Sequence, residues 1–98
     1  MSEPVTILAI QYPKPDRRDA LLERIRSLAL DARHEAGCLE YRVVIAPERP
    51  EAIHFIEQWA SQQALDAHFR SDTFQAFWSV RMEYLEREVD IVVGTDFV

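Results

Sequence analysis

The sequence predicts a single α+β domain, residues 1–98, of the ferredoxin-like, split β-α-β sandwich type. Three features carry that expectation. Segments with an apolar period of two alternate with segments of helical period in the order strand, helix, strand, strand, broken helix, strand. The second and third strands are joined by a short turn holding Pro47 and Pro50, which reads as a hairpin. The first strand is apolar on both faces, which places it inside a sheet. Right-handed crossovers then set the first and third strands side by side, with the helices on one sheet face.

Each element has its own justification. Val5 to Tyr12 reads as a strand, with Val5, Ile7 and Ala9 pointing one way and Leu8 and Ile10 the other. Pro13-Lys14-Pro15 blocks further ladder pairing. Asp16 is placed to cap a helix running to about Glu35, in which Leu21, Leu22, Ile25, Leu28, Ala29 and Ala32 share one stripe. Gly37 is placed to end that helix in a left-handed conformation. Cys38 to Ile45 alternates, with Leu39, Tyr41, Val43 and Ile45 on one face and Glu40 and Arg42 on the other. Beyond the proline turn, Ile53, Phe55, Glu57 and Trp59 share a face. Ser61 and Ser71 are N-caps for two short helices, one carrying Leu65, His68 and Phe69, the other Phe74, Phe77 and Trp78. Tyr84 to Val93 reads as the last strand, with Val89, Ile91 and Val93 on one face.

Composition narrows the function. Eleven Lys and Arg against 17 Asp and Glu leave a net charge of −6, so no basic face awaits a nucleic-acid backbone. The apolar runs reach about five residues, against ~20 for a membrane span. The acidic start MSEPVT lacks an apolar signal core, and one cysteine excludes an intrachain disulfide. The expectation is a cytoplasmic protein with neither a membrane nor a nucleic-acid partner. His34, His54 and His68 are not spaced as metal ligands, and two glycines cannot build a phosphate loop. No metal and no other cofactor is therefore expected.

Two helical layers cover one sheet face and leave the other bare. Leu8 and Ile10, or else Val5 and Ile7, must lie on that bare face beside Ile56, which is unusual for a monomer. A second copy packed sheet to sheet resolves the problem, so a homodimer is expected.

The residues that can carry chemistry lie in the second half. His68 sits in a stretch dense with aromatics, and an imidazole is the commonest proton acceptor in active sites. Glu57 shares a face with Phe55 and Trp59, and a carboxylate in apolar surroundings has a raised pKa. A structural pairing of Glu57 with Arg42 or Arg70 is the competing reading. Phe55, Trp59, Phe74, Trp78 and Tyr41 are the candidate binding rings, in a pocket suited to a flat aromatic or hydrophobic ligand. His34 complements a helix C-terminus, His54 suits an interface or sheet edge, and Cys38 reads as a buried structural thiol.

Glu35-Ala36-Gly37-Cys38-Leu39-Glu40-Tyr41, Phe55-Ile56-Glu57-Gln58-Trp59, Leu65-Asp66-Ala67-His68-Phe69 and Ser71-Asp72-Thr73-Phe74-Gln75-Ala76-Phe77 together resemble the antibiotic biosynthesis monooxygenase (ABM) domain. The resemblance implies a dimeric α+β barrel. It implies several chemistries, among them cofactor-free oxygenation of polycyclic aromatics, quinol oxidation and haem degradation. The haem branch carries a ligating His where this chain has Trp78, and a pocket Trp where it has His68, which argues against haem. The implied activity is cofactor-independent oxygenation of a quinol, an anthrone or a similar phenolic small molecule. His68 would be the base or proton relay, and Glu57 the reserve base or the group that orients the imidazole. Trp59, Phe74 and Trp78 would stack on the substrate. The alternative is a non-catalytic, small-molecule-binding or stress-related dimer of the same fold.

Overall fold

The computed structural model describes residues 3–98. Strand β1 (Val5–Gln11) runs inside a four-stranded antiparallel sheet, between β3 (Ile53–Trp59) and β4 (Asp90–Gly94), and β2 (Cys38–Val44) forms the edge beyond β3. Helix α1 (Arg18–Ala32) and the pair α2 (Gln62–Arg70) and α3 (Asp72–Trp78) supply the helical layer. This is the expected ferredoxin-like α+β topology.

The period-two pattern of β1 sorts as expected. Val5, Ile7, Ala9 and Gln11 are buried under the helices, while Leu8 is 52% exposed on the opposite face. The α1 stripe buries Leu21, Ile25, Ala29 and Ala32, with Leu22 and Leu28 packed against its margin. Ser61 accepts from the Ala64 amide and Ser71 from the Phe74 amide, both at 3.1 Å, so both short helices begin where the serines place them.

Four local expectations need correction. Asp16 does not cap α1; Pro15–Arg17 forms a 3₁₀ turn and α1 starts at Arg18 without a side-chain cap. The fixed φ of Pro15 starts that tighter turn before the α-helix can. The helix ends at Ala32 rather than near Glu35, in a run of turns closed by bonds from the Arg33, His34 and Glu35 amides. In β2, Cys38 pairs with Trp59 but Glu40 pairs with Gln58, so Leu39 is an extra, bulged residue. The bulge throws Leu39 outward, 55% exposed, and keeps Cys38 and Tyr41 on the helix-facing side. Finally, Tyr84 to Val89 is not strand. Leu85 is buried against Pro13 by a short bridge, and Arg81 and Glu88 clasp across the loop through two hydrogen bonds, so the sheet is joined only at Asp90.

Gly37 does not close the helix, yet its left-handed backbone is real, with φ +83°. A Cβ there would lie 2.5 Å from the Ala64 Cβ of α2, and the Gly37 carbonyl accepts from the Ala60 amide at 2.7 Å. Both the conformation and the close approach require glycine. Gly37→Ala is expected to cost at least about 2 kcal/mol from left-handed strain and overpacking together. Thermal unfolding checks this; an unchanged midpoint would show that the segment shifts without resistance.

Candidate active site

β3 and α2 deliver the two titratable groups expected from the sequence. The alternation of β3 points Glu57 toward the helices, opposite Ile7 of β1 and Tyr41 of β2. On α2, Leu65 and His68 lie three residues apart and share the buried face. Glu57 and His68 look onto a cavity between the sheet and the helices. Its floor is Ile7, Ala9, Gln11, Tyr41 and Phe55, and its roof includes Phe69, Phe74, Phe77 and Trp78. The cavity measures about 50 Å³, less than the ~150 Å³ of an apolar site that accepts benzene. The protein's own rings fill the rest.

His68 is 5% exposed. Its Nδ1 lies 2.9 Å from Oε2 of Glu35, in the turn after α1. A carboxylate oxygen only accepts, so Nδ1 carries the proton of this bond, and in the neutral ring that leaves Nε2 as the acceptor. Rings pack in series around the imidazole. Trp59 stacks on it at 4.5 Å, Phe74 lies 5.2 Å away, and Trp78 stacks on Phe74 at 5.3 Å with the Arg81 guanidinium 4.1 Å over its indole.

Glu57 is 6% exposed, and the Trp59 Nε1–H donates to its Oε1 at 3.1 Å. Burial pushes its carboxyl up to about 7; the Trp59 bond opposes the rise and the nearby Glu35 charge adds to it. Near neutrality both forms of this group are therefore populated, and the protonated one accepts through one oxygen and holds a proton on the other. Burial, first of all, raises the Tyr41 phenol far above its usual range, so it stays neutral, and raises the Cys38 thiol as well. A protonated Cys38 beside the bulge matches a structural thiol.

The cavity thus gathers His68, Glu57, Tyr41, Phe55, Phe74 and Trp78. Trp59 is not among its walls. It is wholly buried behind His68, so a ligand has no access to its face, and its work is to support the imidazole and bond Glu57. The imidazole is oriented by Glu35 rather than Glu57, and Glu57 pairs with an indole rather than with Arg42 or Arg70. His54 is half-buried on the open sheet face, and His34 is exposed past the end of α1. Sequence reasoning missed Glu35 and Gln11 as site residues. A signal for Glu35 did exist, two residues before the Gly37 backbone that packs directly on α2. Among the described residues, no three His, Cys, Asp or Glu side chains converge as metal ligands, and no helix is long and apolar enough to cross a membrane.

The family model for antibiotic biosynthesis monooxygenase matches residues 4–79. The chain belongs to the antibiotic biosynthesis monooxygenase family. Among its ABM relatives, Rv0793 of Mycobacterium tuberculosis, provisionally named a monooxygenase, is 31% identical over 93 residues, spanning 95% of this chain and 91% of that protein. The solved structure of Rv0793 superposes with a TM-score of 0.92 over 98% of this chain and 97% of that one. PA3566 of Pseudomonas aeruginosa is 30% identical, with a TM-score of 0.90 over 100% and 98% of the two chains. A crystal structure of an antibiotic biosynthesis monooxygenase is 26% identical, with a TM-score of 0.87 over 96% and 98%. The ABM fold and the family placement thus agree.

Proposed function

We propose that this ABM protein is a cofactor-independent monooxygenase of an electron-rich phenolic small molecule, a quinol or an anthrone. The observation that carries the reading is the buried His68, paired with the part-exposed Glu35, on a cavity otherwise walled mainly by rings and aliphatic side chains. Triplet oxygen reacts with an electron-rich anion, so the protein needs only to remove a proton and keep the anion dry. Nε2 of His68 takes the hydroxyl proton of a quinol or the methylene proton of an anthrone, and Glu35 stabilises the resulting imidazolium. Electrons then pass from the anion to oxygen; an anthrone methylene becomes a carbonyl, one oxygen atom enters the product and the other leaves as water. Glu57, in its protonated form, donates a hydrogen bond to the oxygen on which charge develops. Tyr41, Phe55, Phe74 and Trp78 hold the ring system.

Oxygen uptake with anthrone or a quinol, above the spontaneous rate and matched by product, tests the reading. If the wild type consumes none of these phenols, the alternative stands: a non-catalytic ligand-binding or stress-related ABM protein. The narrow cavity is the observation that favours that alternative, because a polycyclic ligand enters only after Phe74 and Trp78 give way.

We also propose a cytoplasmic homodimer joined through the open sheet face. Leu8 (52%), Val44 (37%) and Val92 (60%) are exposed there, beside the half-buried Ile10, Ile56 and His54. An apolar face of this kind is stabilised by a second copy. Light scattering at micromolar concentration is expected to give about twice the mass of one chain. A folded monomer at that concentration would refute the dimer.

A further inference from the structure

We propose that Gln11 determines substrate specificity by accepting a hydrogen bond from a second hydroxyl, so that the ligand is an elongated phenol with a hydroxyl at each end. The inference rests on the cavity of the preceding section being the binding site, and it deepens that reading by naming the substrate class.

Gln11 is the last residue of β1 and lies on the same helix-facing side as Val5, Ile7 and Ala9, all aliphatic. It is 7% exposed and lines the cavity that holds His68 and Glu57. Its Oε1 is shut off from solvent and has no hydrogen-bond partner among the described residues. A buried amide oxygen left unpaired costs free energy, and an apolar side chain of the same length would fill the space without that cost. Packing alone therefore gives no reason for glutamine here. The oxygen is shut off from bulk solvent and lines the cavity, so a donor brought in with a ligand can satisfy it.

The position sets the shape of that ligand. Ile7 faces Glu57 across the sheet, and Gln11 lies four residues further along β1. At about 3.3 Å per residue the two ends of the cavity are separated by about 13 Å. Titratable groups cluster at one end and the lone carboxamide sits at the other, with Ala9, Phe55 and Ile91 between them. A flat molecule that leaves its first hydroxyl with His68 and lies along this floor carries its far end to Gln11. An oxygen acceptor at that end selects a donor, which a second hydroxyl supplies and a bare ring edge does not.

The test uses 4,4′-dihydroxybiphenyl and 4-hydroxybiphenyl as probes, on the wild type and on Gln11→Met. Binding is read by quenching of tryptophan fluorescence, and turnover by oxygen uptake. The wild type is expected to bind the diol roughly 10-fold to 100-fold more tightly than the monophenol, the range for one hydrogen bond to a buried acceptor. In Gln11→Met that ratio falls to near one, because the diol loses affinity and the monophenol keeps it. The variant's thermal midpoint rises by several degrees, since the unpaired amide is gone. An unchanged ratio, an equal loss for both probes, or failure of both to bind overturns the assignment. Discrimination between the probes with no oxygen uptake on the diol, on anthrone or on a quinol keeps the assignment of Gln11 and sinks the monooxygenase reading. Oxygen uptake with equal kcat/KM for both probes in both proteins does the reverse.

Discussion

His68→Ala is expected to lower kcat roughly 10²–10⁴-fold on any phenol that the wild type oxygenates, the usual share of a general base. The imidazole lines the cavity with its Nδ1 tied to a carboxylate. The fold survives the change. The Glu35 side chain remains 27% exposed, so water solvates the carboxylate once its partner is gone. The lost stack on Trp59 leaves a small void, and alanine raises helix propensity. His68→Gln separates shape from chemistry: its amide still donates to Glu35 but provides no base, so turnover falls as in the alanine variant while the thermal midpoint moves less. His34→Ala, an exposed site past α1, leaves turnover unchanged. Normal turnover by His68→Ala would move the base to Glu57, and the rate would then rise with pH through about 7, where that carboxyl ionises.

Periodicity made the sheet legible, because every helix-facing residue of β1 and β3 except Gln11 is apolar or paired within the core. The serine caps were legible for the same reason, since a hydroxyl three residues before an orphan amide has one good use. Features created by two distant segments were not. The Leu39 bulge depends on how β2 registers against β3, and nothing in Cys38-Leu39-Glu40 announces an extra residue. Glu35 and His68 stand 33 residues apart and meet only because Gly37 lets its backbone lie against Ala64. Trp59 was assigned to the pocket from its type and its face of the strand. Its burial behind the imidazole follows from the angle of α2 over β3, which no local pattern encodes.

Glu57→Gln is expected to stabilise the protein at alkaline pH and to leave it nearly unchanged at pH 4. Burial holds the Glu57 carboxyl up to about 7 in the folded chain, against 4.5 for an ordinary glutamate. Between those values the native state binds more protons than the unfolded one, so stability falls as pH rises across this window. Below about 4.5 both states are protonated and the penalty vanishes; above about 7 it is complete. A gap of about 2.5 units corresponds to about 3 kcal/mol of destabilisation in the charged form. Glutamine has no charge at any of these pH values, and its amide oxygen still accepts from the Trp59 indole in place of Oε1. At pH 8 the variant's thermal midpoint is therefore expected to exceed that of the wild type by more than ten degrees, at ~4–8 °C per kcal/mol for a domain of this size. Titrating groups that do not interact with Glu57 cancel in the difference, which leaves the contribution of Glu57 together with its coupling to Glu35, Tyr41 and Cys38. Parallel stability curves from pH 4 to pH 8 would show that Glu57 ionises as freely in the folded chain as in water. Its part as a hydrogen-bond donor in the oxygenation would fall with that result.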